Sequence, residues 1–234
     1  MSGTSPAPVL EMVGASPAAP AGALSSAVFD LHLMAGECVL IDAQEAAQAS
    51  AFADFSCGIL PPSRGTVRFI GHDWARASEE YAAALRGRIG RLYGPNSWIP
   101  FMDSDTNILL PQLHHTRRSE PELREAATQL ACRFGLAGLP TVRPEELSRD
   151  DLLRAACVRA LLGEPRLLII EDALLERTPE LAIPVLNALA AAKVRQAASI
   201  WLSCGDLLDD HRCLPVATRF RLTSRGLVQV REPT

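Results

Sequence analysis

The sequence predicts an α/β protein built on a mostly parallel sheet, and three observations carry that expectation. Continuous apolar runs, Cys38-Val39-Leu40-Ile41, Leu167-Leu168-Ile169-Ile170 and Ala198-Ser199-Ile200-Trp201-Leu202-Ser203, read as strands covered on both faces. Helical periodicity separates them, as in the spacing of Leu123, Ala126, Ala127, Leu130 and Phe134. The segments Ala27–Leu33 and Thr66–Gly71 alternate apolar and polar residues instead, which adds half-buried strands of the antiparallel kind.

The remaining elements follow in chain order. Val9–Val13 reads as a first strand, and Gly14–Ser26, rich in Pro, Ala, Gly and Ser, as a loop. Ala46–Cys57 is a helix after the first buried strand, and Ser63-Arg64-Gly65 a turn. A short helix is expected at Glu79–Arg86, then a strand at Arg88–Tyr93. Gly94–Pro111 reads as loop and turn, with Trp98, Ile99, Phe101 and Met102 clustered in it. Ser119-Glu120-Pro121-Glu122 is a capping box with Pro in the first turn, opening a helix that Gly135 ends. Ser148 caps another helix, to Leu162, stopped by Gly163 and Pro165. Pro179–Val194 is helical, and Thr218–Val230 forms a terminal hairpin.

Composition narrows the class. At 234 residues the chain is long enough for one large domain, or a domain with a subdomain. A net charge of −4 leaves no basic footprint for nucleic acid, so no such partner is expected. No apolar run reaches the roughly 18 residues of a membrane-spanning helix. The N-terminus lacks the charged and apolar regions of a signal peptide, which points to a cytoplasmic chain. Six cysteines without C-x-x-C spacing read as reduced core thiols, and no metal site is expected from them.

Between Gly36 and Gly65 lies the outline of a phosphate-binding strand–loop–helix. Laid over G-x-x-x-x-G-K-[ST], the chain reads Ala43-Gln44-Glu45-Ala46-Ala47-Gln48-Ala49-Ser50, and only the serine fits. Glycines let backbone N–H groups approach phosphates, a path that side chains at Ala43 and Gln48 obstruct. Ala49 supplies no charge, and Lys193, the one lysine of the chain, lies far along the sequence.

From Val9 to Val230 the order of segments resembles the ATP-binding cassette (ABC) ATPase domain. Gly36-Glu37 and Gly58-Ile59-Leu60-Pro61-Pro62 with Gly65 are similar to the flanks of its Walker A motif. Arg88–Gly94 resembles the strand entering the Q-loop, with Gly94 at the glutamine's position. Leu147-Ser148-Arg149-Asp150-Asp151 resembles the LSGGQ signature, with Arg149 and Asp150 replacing its glycines. Pro165–Asp172 resembles Walker B, with Glu171 at the magnesium position and Asp172 at the water position. Cys204 stands where the switch histidine belongs, and no aromatic A-loop residue falls near Pro17–Pro20. Asn107–Pro111, His115-Thr116 and Gly135–Pro140 resemble the MCE-type lipid-transport branch.

The resemblance implies a P-loop NTPase-like (RecA-like) core with a mostly parallel sheet, an antiparallel β part and a small helical subdomain. On that pattern residues 1–8 are a disordered N-terminus, and residues 9–94 the first part of the core with its β subdomain. Residues 95–162 are the helical subdomain with the signature-like segment, and residues 163–234 the second part of the core. It further implies a transmembrane permease subunit and a second cassette subunit, in a homodimer or heterodimer, as partners. The chain is then peripheral to the inner membrane of a bacterium. Trp98, Ile99, Phe101 and Met102 would line the groove for the permease, or else fill the subdomain core. The missing motif residues lead to the expectation of a pseudo-ATPase: no enzyme, no ATP or magnesium cofactor, a structural or regulatory subunit of a transporter, with lipid as a candidate cargo. The alternative is an ATP-binding subunit that contributes to a composite ATPase site with an intact partner.

Overall fold

The computed structural model describes residues 7–18, 22–93, 97–171, 181–204 and 218–230. Residues 1–6 of the expected disordered N-terminus therefore lie outside the described residues.

Two sheets form the frame. The first is antiparallel, with β1 (Leu10–Pro17) between β2 (Phe29–Leu33) and β4 (Pro62–Phe69), and β5 (His72–Asp73) on β4. The second contains β3 (Cys38–Ala43), β6 (Ile89–Leu92), β7 (Leu167–Glu171), β8 (Ala198–Cys204), β9 (Thr218–Thr223) and β10 (Gly226–Val230). Its order is β10-β9-β3-β8-β7-β6, parallel from β9 to β6, with β10 closing an antiparallel hairpin on β9. The fold is thus the mixed α/β arrangement that the apolar runs imply.

Alternation along the central strands explains why they read as continuous apolar runs. Val39, Ile41, Ile169, Ile200 and Leu202 face a core shared with the antiparallel sheet and α1 (Ala46–Ser56). Leu40, Leu168, Ile170 and Trp201 face a second core. Its other walls are α3 (Ser104–His115), α4 (Glu120–Arg133), α5 (Arg149–Leu161) and α6 (Ala182–Val194). A sheet buried on both faces leaves no polar side to alternate with. In the first core Phe29 packs edge-on against Phe52, with ring centroids 5.2 Å apart.

The helix signals read from the sequence match the structure closely. α2 spans Glu79–Arg86, and Ser119 and Glu122 close the capping box of α4. Three loop and turn expectations need correction. The expected turn Ser63-Arg64-Gly65 lies inside β4, and β1 runs through Gly14 to Pro17. Where the two strands cross, the register shifts, and a Cβ on Gly65 (φ +70°) would stand 2.2 Å from the Gly14 carbonyl oxygen. These glycines serve a bulge between close backbones, not a chain reversal. The expected loop Gly94–Pro111 gives way to α3 from Ser104 onward, with Pro111 inside the helix. Proline reads as a stop because it lacks an N–H and crowds the preceding turn. Burial of Ile108 and Leu109 in the second core outweighs that cost.

Two thiols test this core packing. Burial pushes Cys57 and Cys157 up to about 12, from 9.0 for an ordinary thiol. The unfolded chain releases these protons first, so their contribution is complete below pH 9 and is lost as pH rises towards 12. Each thiol is expected to lower stability by roughly 1.4 kcal/mol per pH unit across that window. Chemical denaturation across that range should show a shallower alkaline loss in Cys57→Ala and Cys157→Ala chains.

Candidate functional site

The site lies at the carboxyl ends of β3, β7 and β8, where open parallel sheets hold ligands. Ala43 closes β3 and is buried beside Cys204, its register partner on β8. The chain then turns through Gln44 and Glu45 into α1, whose first residues carry no side-chain cap. Gln48 and Ala49 are buried. The Gln44 N–H donates to Gln48 Oε1 at 3.2 Å, so a backbone donor of the turn is spent on the chain's own side chain. This is the opposite of a phosphate cradle, in which such donors face outward to the ligand.

Behind that turn stands a charge cluster assembled from three elements. Arg91, on β6, donates from Nε to Glu171 Oε1 at 2.6 Å and from Nη1 to Asp54 Oδ1 at 2.5 Å. Its Nη2 reaches the Ser50 carbonyl oxygen at 3.3 Å, and its guanidinium lies 4.4 Å from the Tyr93 ring centroid. The Ser50 hydroxyl donates to the other carboxylate oxygen, Glu171 Oε2, at 2.5 Å. Both oxygens of Glu171 are thereby engaged. The Arg91 and Glu171 side chains are 6% and 7% exposed, whereas Asp54 is 40% exposed, so the Arg91–Glu171 pair is the desolvated one. Burial opposes the charge on Arg91, but the Glu171 and Asp54 carboxylates outweigh it and raise its pKa.

Ser148, Arg149 and Asp150 take no part in this network. They form the exposed start of α5, where Ser148 Oγ accepts from the Asp151 N–H at 3.1 Å and donates to Asp151 Oδ2 at 2.9 Å. Gly94 and Asp172 lie outside the described residues.

The apolar cluster divides. Phe101 is 75% exposed, whereas Trp98 packs against the second core with the Arg159 guanidinium 4.5 Å from its ring centroid. Arg159 also donates to the Ser97 carbonyl oxygen at 2.9 Å and to Ser97 Oγ at 2.7 Å. Asn107 fixes the backbone between them. Its Oδ1 accepts from the Ile99 N–H, while Nδ2 donates to the carbonyl oxygens of Ile99, Met102 and Asp103.

Sequence reasoning missed Arg91, Asp54, Asn107 and the clamping role of Arg159. A signal for Arg91 existed: an arginine within a short apolar strand, beside a buried strand ending in Glu171, needs an anion. Asp54 carried none, because an acidic residue on a helix reads as surface.

Strand–turn–helix, central parallel sheet and helical layer together define a P-loop-type α/β cassette. No protein-family model matches the chain. It is 32% identical over 162 residues to the lipoprotein-releasing system ATP-binding protein LolD 1 of Rhodospirillum rubrum, covering 68% of this chain and 71% of that one. It is 28% identical to the nickel import ATP-binding protein NikE of Pseudomonas putida, over 76% of this chain and 66% of the relative. For LolD of Pseudomonas syringae pv. tomato the figures are 31%, 61% and 63%. Several curated relatives are thus matched over just under two thirds of their length. In fold, the dimeric bacterial ABC transporter cassette MJ0796 superposes with a TM-score of 0.78 at 16% identity, over 96% of this chain and 99% of that one. The cassette cbiO1 of Clostridium perfringens, part of the ABC transporter complex cbiONQ, gives 0.71 at 19% identity, over 95% and 87%. The chain belongs to the family of ABC transporter ATP-binding proteins.

That kinship corrects the expectation of a pseudo-ATPase that is no enzyme. The expectation counted side chains missing from the motifs, whereas the relatives are named ATP-binding proteins. Such a count is also blind to space. Arg91 brings a cation to Ser50 and Glu171 from a different strand, and Arg149 and Asp150 at the start of α5 are exposed.

Proposed function

We propose that the chain is the ATP-binding-type subunit of a membrane transporter, and that it acts on ATP through a composite site with a second cassette subunit. An asymmetry between its two nucleotide-facing surfaces carries this reading. Its own strand–loop–helix face is filled by Arg91, Gln48 and the Ser50–Glu171 pair. The start of α5 is open, with Ser148 as helix cap and Arg149 and Asp150 exposed. In the family that helix start covers the nucleotide of the opposing subunit. Arg149 offers a cation to such a phosphate, and Asp150 tempers it.

The partners are then a second cassette that supplies the lysine-bearing loop, and a permease. Among the described residues no helix is long and apolar enough to cross a membrane, and attachment through a permease at the membrane is part of the same proposal. Phe101 is the apolar side chain that a permease segment would cover. A lipid-like cargo is supported by relatives named for lipoprotein release, beside others named for nickel import.

The test is ATP turnover by the transporter purified through a tag on this chain. Asp150→Gly is expected to change turnover several-fold, and Phe101→Glu to lose the membrane subunit while the chain stays folded. Turnover indifferent to both Arg149→Ala and Asp150→Gly would contradict the composite site. Retention of the membrane subunit by Phe101→Glu would contradict the docking surface.

A further inference from the structure

In the family a magnesium ion sits between the Walker A hydroxyl and a Walker B carboxylate, which here correspond to Ser50 and Glu171. These residues do not fit it. Two oxygens sharing one magnesium ion at about 2.1 Å each, at right angles, stand roughly 3.0 Å apart with the metal between them. Ser50 Oγ and Glu171 Oε2 are 2.5 Å apart, the separation of a hydroxyl donating its own proton to a carboxylate. The remaining oxygen, Oε1, accepts from Arg91 Nε. A guanidinium, a fixed positive charge, thus stands against the carboxylate where a divalent cation would need to approach.

The cluster is also complete without a metal. Arg91 pairs with Glu171 and with Asp54, reaches the Ser50 carbonyl oxygen, and stacks on Tyr93. The cation comes from β6, which pairs in parallel with β7, so Arg91 faces Glu171 through the sheet's own register: Leu92 is the partner of Ile170, one step from each. The arrangement is therefore built by the fold and not by a mobile side chain settling on a surface.

We propose that Arg91 takes over the charge-neutralising place of the divalent cation, so that this chain's own Ser50–Glu171 pair does not bind magnesium. This rests on the reading of the strand–loop–helix face as the counterpart of the family's nucleotide site. It goes beyond the composite-site reading, which concerns α5. Metal dependence of the assembled transporter then arises at the partner's site.

The probe is manganese(II), followed by electron paramagnetic resonance on the purified full chain, with and without ATP. The wild-type chain and Glu171→Gln are expected to leave the free-manganese signal equally unchanged. Arg91→Met removes the cation and is expected to raise manganese affinity on the order of tenfold or more, a gain that Arg91→Met/Glu171→Gln abolishes. Manganese bound by the wild-type chain and released in Glu171→Gln would overturn the proposal. So would a folded Arg91→Met chain with no gain. If Arg91→Met does not fold, the comparison of wild type with Glu171→Gln decides alone. None of these outcomes bears on turnover at the composite site, so the two readings fail separately.

Discussion

Arg91→Met is expected to destabilise the chain by about 4 kcal/mol, because it strands a buried carboxylate. Glu171 loses the guanidinium on Oε1 and keeps only the Ser50 hydroxyl on Oε2. Asp54 loses its ion pair too, but at 40% exposure it returns largely to water. The cost therefore belongs mainly to Glu171. Adding Glu171→Gln removes the stranded charge, and the double variant should recover part of the loss, as coupled neighbours do. Denaturant midpoints of wild type, both single variants and the double variant measure the coupling. Additive losses would show that the pair does not act as a unit.

Asn107→Ala is expected to cost about 3 kcal/mol, through backbone groups left without a partner. The side chain accepts from the Ile99 N–H and donates to the carbonyl oxygens of Ile99, Met102 and Asp103. It is 2% exposed, so the released groups are not simply handed to solvent. Asn107→Asp separates the contributions: it retains the acceptor for Ile99 but replaces the donor with an anion facing carbonyl oxygens. It should be no more stable than Asn107→Ala. Because Asn107 fixes the segment that carries Phe101, its loss is also expected to weaken retention of the membrane subunit. A stability loss below about 1 kcal/mol would contradict the anchoring role.

Much of the fold was legible because its strongest signals are local. The capping box of Ser119 and Glu122 and the cap at Ser148 depend on residues three apart, and both helices start where those signals stand. The apolar runs of β3, β7 and β8 follow from a sheet buried on both faces. What the sequence concealed depends on distant partners. Gly65 reads as a turn until Gly14 is brought against it, and Pro111 reads as a stop until Ile108 and Leu109 gain a core to enter. The candidate site shows the same division. Ser50, Glu171 and the lost glycines are visible as motif positions. Arg91 and Asp54, 37 residues apart, become a pair only when β6 and α1 converge behind the turn. A motif records which side chain stands at a position. It does not record a cation arriving from another strand.

The most direct test of the central claim is a crystal structure of the purified chain grown with ATP and manganese, with the metal located by its anomalous scattering. The account predicts Arg91 between Glu171 and Asp54, the Ser50 hydroxyl on Glu171, and no manganese on either. Manganese bound by Ser50 and Glu171, with Arg91 displaced, would contradict it.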